Sequence, residues 1–271
     1  MQTLASWWAL NFSKRMMKKL FQNRTMFWLG TVHLLLFVAL AIYACFTDRL
    51  VLGINAMYKP MKFALSIWIY SWTMSILLQY FTNLRAVQIY TRVAVVAMCF
   101  EQWAISSQAF RGQLSHFNRS DMYGIVLFTL MGIFILALTL WTAYMTYMFY
   151  KQESYTLNPA MVLAIKYGLV MFVVFSLFGG YVSSLSGHTV GATDGSVGLP
   201  FLNWSRLFGD LRVAHFFGIH SLQIIPVFAF GATKYMDMAK AILAVKIFAA
   251  LVCVFVIGTL VQALLGRPFV L

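Results

Sequence analysis

The chain has 271 residues, of which 62% are hydrophobic and 10% charged, against roughly 25% charged for an ordinary soluble domain. That composition excludes a soluble globular protein and describes an integral membrane protein. The formal net charge of +13 would suit nucleic acid, but its densest cluster immediately precedes the first apolar run and suits anionic lipid headgroups better, so membrane lipids are the expected partner and nucleic acid is not.

Residues 1–25 read as a basic amphipathic juxtamembrane segment containing "NFSKRMMKKLFQNR". Uncharged runs follow at 25–47, 63–84, 122–150, 167–193, 213–233 and 247–266, and a seventh, 93–110, is broken only by Glu101. About 20 apolar residues at a rise of about 1.5 Å each cross the hydrocarbon of a bilayer, so each run predicts a span. Backbone groups in lipid must pair within their own segment, and the ten-residue alternation of an outer-membrane barrel is absent, so the fold class is an all-α polytopic membrane protein. Residues 26–271 are read as one seven-helix bundle. The first span lacks a small-residue cleavage site and is expected to be an anchor that is kept. Cys45, Cys99 and Cys253 lie in or beside three different spans at no metal-like spacing and are expected to be buried thiols.

A cytoplasmic N-terminus places twelve Lys or Arg on the inner face and eight on the outer, which favours that orientation by the positive-inside rule. The short connections then face inward and the long ones outward. The longest, 183–210, alternates Gly, Pro and aromatic residues and is expected to form an ordered cap. Trp204, Phe201 and Phe208 are expected at headgroup level, where aromatic rings are favoured.

The informative side chains converge on the outer half. On span three, Glu101, Gln108, Arg111 and Ser115 fall within about 80° of one another round a helix that turns about 100° per residue. Span two begins with Lys59 and Lys62 and continues through Ser66 and Thr73, the last three on one face. Span six enters with Asp210 and Arg212 and then carries His215, His220 and Gln223; His220 lies about 12 Å below Arg212 along the axis, too deep for its imidazole to reach water. Ionisable groups at such depth face a bundle interior or a wet cavity and mark a site. His116 and Asn118 after span three, and His188 and Asp194 in the long loop, are placed to close over it.

A divalent metal, zinc or iron, is the sharpest chemistry for this set, with His116, His215 and His220 as ligands. The spacing of 215 and 220 puts them about 140° apart, so they do not chelate one ion as i and i+4 would. Haem b is a variant, with axial His116 facing His215 or His220. Lys59, Lys62, Arg111 and Arg212, with Asn118, Asp194 and Gln223, would hold an anionic or polar substrate. Glu101 and Asp210 are the catalytic candidates, Glu101 as proton carrier. The plainer alternatives are packing histidines, snorkelling lysines, and arginines paired with the bundle's own carboxylates. Lys246 sits near the start of its helix and is read as snorkelling, which disfavours a retinal protein.

The combination "YKPMKFALS", "RGQLSHFN", "HTVGATDGSVGLPFLNWS" and "GDLRVAHFFGIHSLQ" resembles a bacterial family of uncharacterised polytopic membrane proteins, from span two through span six. The resemblance implies a bacterial cytoplasmic membrane and supplies no activity or functional residue. The residues themselves give the leading expectation: a metal-dependent membrane-embedded enzyme with its site in the outer half, acting on a small or amphiphilic substrate. The alternative is a transporter, channel or sensor using the same pocket for protons or an anion. A through-path would need polar continuity to the inner side, where below Glu101 the sequence offers only Arg92.

Overall fold

The computed structural model describes residues 20–118, 121–185 and 187–270; most of the basic segment expected over 1–25 lies outside them. The described chain is helical apart from two short ladders. Its helices are α1 (Arg24–Ala44), α2 (Tyr58–Leu77, continued by a 3₁₀ turn at Leu78–Tyr80), α3 (Leu84–Phe110), α4 (Met122–Lys151), α5 (Pro159–Ser184), α6 (Leu211–Tyr235) and α7 (Met238–Leu264).

The starts of these helices are written in short polar side chains. Asn23, Asn83, Asp121, Asn158 and Asp237 each accept a hydrogen bond from the backbone N–H three residues on, and Asp210 accepts from that of Arg212. Such caps satisfy donors that the first turn leaves without partners. Pro159 follows its cap at a position where a missing N–H costs nothing. Among the described α-helices only α2 starts without a side-chain cap.

Among the described residues six helices are long and apolar enough to cross a membrane: α1, α2, α4, α5, α6 and α7. α3 has 27 residues and the length to cross, but Arg85, Arg92, Glu101 and its glutamines make it less apolar. The helices run past the charge-free windows. α7 begins at Met238 and includes Lys240 and Lys246, and α2 begins at Tyr58 and includes Lys59 and Lys62. A charge ends an apolar run without ending a helix, because long cationic side chains reach back to the interface.

Along the outer faces, large apolar side chains such as Trp28, Leu35, Leu140, Val227 and Val254 are exposed. A belt of that extent is foreign to soluble monomers and is what lipid covers. Inside, Met26, Tyr70, Met74, Tyr90, Leu138, Phe149, Leu169 and Leu222 form one core. Helices adjacent in sequence pack together, and α5 also packs on α7. At the α5–α6 seam small residues let backbones approach: a Cβ on Gly168 would stand 3.1 Å from Leu222 Cα, and one on Gly218 would collide with the Phe175 ring.

The two ends of the bundle differ. At one, the connections are short, and Gln152 donates to Tyr80 O at 3.1 Å to tie two of them. At the other, here the loop end, lie the segments 45–57, 111–118, 185 and 187–210. β1 (Leu50–Val51) pairs with β2 (Ile54–Asn55), and β3 (Thr189–Val190) pairs antiparallel with β4 (Gly209–Asp210). Gly209 meets the Ala263 backbone so closely that a Cβ would overlap the carbonyl oxygen. Two expectations are corrected here. Cys45 and Cys99 are exposed, not buried, since both lie on the outside of the bundle. Trp204 is buried against Phe216, Phe217 and Phe269 and is not exposed at the protein surface.

Candidate functional site

The first turn of α2 carries the centre of the loop-end site. Lys59 Nζ donates to His116 Nδ1 at 3.2 Å, and Ser115 Oγ stands 3.2 Å from the same nitrogen. Burial, the Lys59 charge and the neighbouring His188 hold the His116 imidazole well below its usual range. It is therefore neutral near pH 7, with Nδ1 as acceptor and the proton on Nε2. Three phenyl rings, Phe63, Phe117 and Phe128, enclose it.

Lys62 Nζ, one turn further, donates to Leu202 O at 3.0 Å. Lys59 lies within electrostatic reach of Lys62, Arg212, Glu101 and Asp194. Glu101 is 2% exposed, and its Oε1 has no hydrogen-bond partner among the described residues. Beside it Gln102 Nε2 donates to Pro60 O at 3.3 Å and to Ser106 Oγ at 3.0 Å.

The cap supplies the other half. Asp210, which caps α6, takes Arg212 in a bidentate pair at 2.9 and 2.6 Å and accepts from Ser205 N at 2.9 Å. Burial alone would raise its carboxyl, but the hydrogen bonds and charge of Arg212 outweigh that and hold it below the usual carboxylate range. Asp194 accepts from the backbone N–H of His188 and of Thr189 and lies 3.2 Å from His188 Nε2. Burial and then the Arg212 charge push His188 down to about 4, against the pull of Asp210 and Asp194. Arg212 also donates to Asn203 O.

Thus Lys59, Lys62, Glu101, His116, Asp194, Asp210 and Arg212 share one electrostatic ensemble with His188. Arg111 stands apart: it pairs with Asp121 and Gln108 and lies over the Tyr123 ring at 4.4 Å, on the surface. Asn118 is buried close to Gly124. His215 faces α5, where its Nδ1 meets Phe175 O at 2.7 Å and its ring rests over Gly179. His220 Nδ1 lies 3.3 Å from Gln223 Oε1, and Gln223 Nε2 donates to Thr73 of α2 at 3.2 Å. Among the described residues no three His, Cys, Asp or Glu side chains are grouped to hold a metal ion.

Some polar features have no counterpart in the sequence reading. Tyr70 of α2 and Tyr90 of α3 join their hydroxyls in the buried core, beside Thr142 of α4. Nearer the short-loop end, Asn23 Nδ2 donates to Thr91 Oγ1 at 3.0 Å and Ser75 Oγ to Leu20 O at 2.6 Å. The tyrosines hide among the aromatic residues of an apolar chain, and hydroxyls at helical spacing read as ordinary back-bonding. The carbonyls of Leu202 and Asn203 carry no side-chain signal at all. No protein-family model, curated protein or solved structure matches the chain.

Proposed function

We propose that this is a seven-span protein of a bacterial cytoplasmic membrane, N-terminus inside, that binds an anion at its outer loop end and couples that binding to a proton, as a transporter or channel does. The observation that carries the reading is the pair Lys59 and Lys62. Both are half-buried in the first turn of α2, at the positive end of its dipole, with no side-chain cap to offset them. Cations are disfavoured there and anions favoured. Neither forms an ion pair with a carboxylate among the described residues.

The ensemble also couples charge to charge. With Glu101 ionised, Lys59, Lys62 and Arg212 balance Glu101, Asp194 and Asp210; protonating Glu101 leaves one positive charge uncompensated. Proton uptake and anion binding therefore reinforce each other, and by linkage each strengthens the other equally. The hydroxyls and amides deeper in the bundle, Thr73–Gln223–His220 and Tyr70–Tyr90, support a proton route away from the site.

Inorganic phosphate and acetate titrated into the purified protein test this. Binding is expected to tighten as pH falls, to weaken at least about tenfold in Lys59→Met or Lys62→Met, each removing a charge-assisted contact, and to lose its pH dependence in Glu101→Gln. Equal binding by the wild type and both lysine variants would sink the reading.

A second reading, an enzyme acting on an anionic amphiphile, draws support from the Ser115–His116–Lys59 hydrogen-bonded set beside Glu101, which is the material of acid–base chemistry. Anion-driven flux into proteoliposomes favours transport; consumption of the anion without flux favours the enzyme. Metal content and a visible spectrum of the same preparation address zinc, iron and haem, for which His215→Ala and His220→Ala should release the bound group.

A further inference from the structure

The turn over Lys62 and Arg212 has an unusual construction. Gly198 and Ser205 bridge antiparallel, Leu199 N donates to Trp204 O at 2.8 Å, and Asn203 N donates to Leu199 O at 2.8 Å. Between them Phe201 and Asn203 both adopt left-handed backbone, at φ 60° and 55°. That conformation costs an L-residue roughly 1–2 kcal/mol, with Asn the more tolerant. The strained stretch presents two successive carbonyls to two cations, Leu202 O to Lys62 Nζ at 3.0 Å and Asn203 O to Arg212.

Beneath it lies a cavity of about 20 Å³ lined by His188, Asn203, Ser205 and Arg212 among others. That is room for about one water and none for a phosphate. The Leu202 and Asn203 carbonyls already occupy donor positions of Lys62 Nζ and Arg212, so a ligand whose oxygens take both positions replaces them. A neutral carbonyl is also the weaker partner, since hydrogen bonds to an ionised oxygen are roughly twice as strong.

Resting on the anion-binding reading above, we propose that the Leu202 and Asn203 carbonyls stand in for two oxygens of a phosphoryl or carboxylate ligand, and that the turn 198–205 is a lid which this ligand displaces. Release of the left-handed backbone lowers the cost of opening. Trp204, held by Phe216, Phe217 and Phe269, is the fixed base, and Phe201, whose ring lies 5.9 Å from that of Tyr58 at the start of α2, is the tip.

The shared chemistry, an oxyanion, has two sources, and two arms separate them. In one, the full chain in zwitterionic nanodiscs receives inorganic phosphate. In the other, the nanodiscs contain an anionic phospholipid and no free phosphate. Backbone hydrogen exchange is followed at Leu199 and Asn203, whose amides are bonded within the closed turn. Exchange there is expected to rise several-fold in the arm that supplies the ligand, while the Thr189–Asp210 ladder stays protected. Asn203→Gly removes left-handed strain from the closed turn and should weaken apparent affinity about two- to fivefold. Gly198→Ala places a Cβ 2.9 Å from the Asn203 backbone and should strengthen it, by prying the turn open. Lysine-dependent binding with unchanged exchange at the turn, or two variants that shift affinity in the same direction, overturns the lid and leaves the anion site standing. Absence of lysine-dependent binding in both arms overturns the site and the lid together.

Discussion

His188 shows what the loop-end site asks of a single residue. It is half-buried between two carboxylates and an arginine, and its folded-state value of about 4 lies below the 6.5 of a free imidazole. In that interval the unfolded chain binds the proton and the folded chain does not. The contribution to stability is whole above pH 6.5 and is lost as pH falls toward about 4, on the order of 3 kcal/mol in all. Thermal unfolding in detergent should show wild-type stability dropping across that window, and His188→Asn should flatten the drop; a parallel fall in both would remove His188 as its source. The sequence placed Asp210, Arg212 and Asp194 near one another because they flank one span and one loop. It could not assign partners, since Arg111 found Asp121 across a short turn instead of a deeper carboxylate, and pairing depends on loop geometry that periodicity does not carry.

At the scale of the helix, legibility was high for existence and low for extent. Apolar runs announce where hydrocarbon is crossed, whereas helix starts are decided by caps such as Asn83 and Asp237, ten residues ahead of the uncharged runs that begin at 93 and 247. Asn83→Ala should cost about 1 kcal/mol, read as a shift in reversible unfolding in mixed micelles. The α5–α6 seam is less forgiving. A methyl at Gly179 would collide with the His215 ring and break its bond to Phe175 O, so Gly179→Ala should destabilise by roughly 2–3 kcal/mol, with Gly180→Ala, which meets open space, as the neutral control. The side to which His215 turns was beyond a helical wheel: two angular positions 140° apart face different neighbours, and only the packing order of the helices says which.

For the whole molecule, the division into a plain end and an elaborate end gives the proposed orientation a direct test. Cys45 ends α1 at the loop end and is exposed. With Cys99→Ser and Cys253→Ser in place, a membrane-impermeant maleimide applied to intact cells should label Cys45; labelling only after permeabilisation would invert the topology. The sequence foresaw the unequal loops from their lengths, but not that β3 and β4 would lock the longest of them into a ladder, because two-residue strands leave no pattern to read.

The contact of Gly209 with Ala263 joins that ladder to the final helix, backbone on backbone. Asp210 is the next residue, so the anchor of the arginine is fastened mechanically to the far terminus of the chain. A single methyl group at position 209 would lift the roof by its hinge, and the electrical balance of a chamber built from three other helices would go with it.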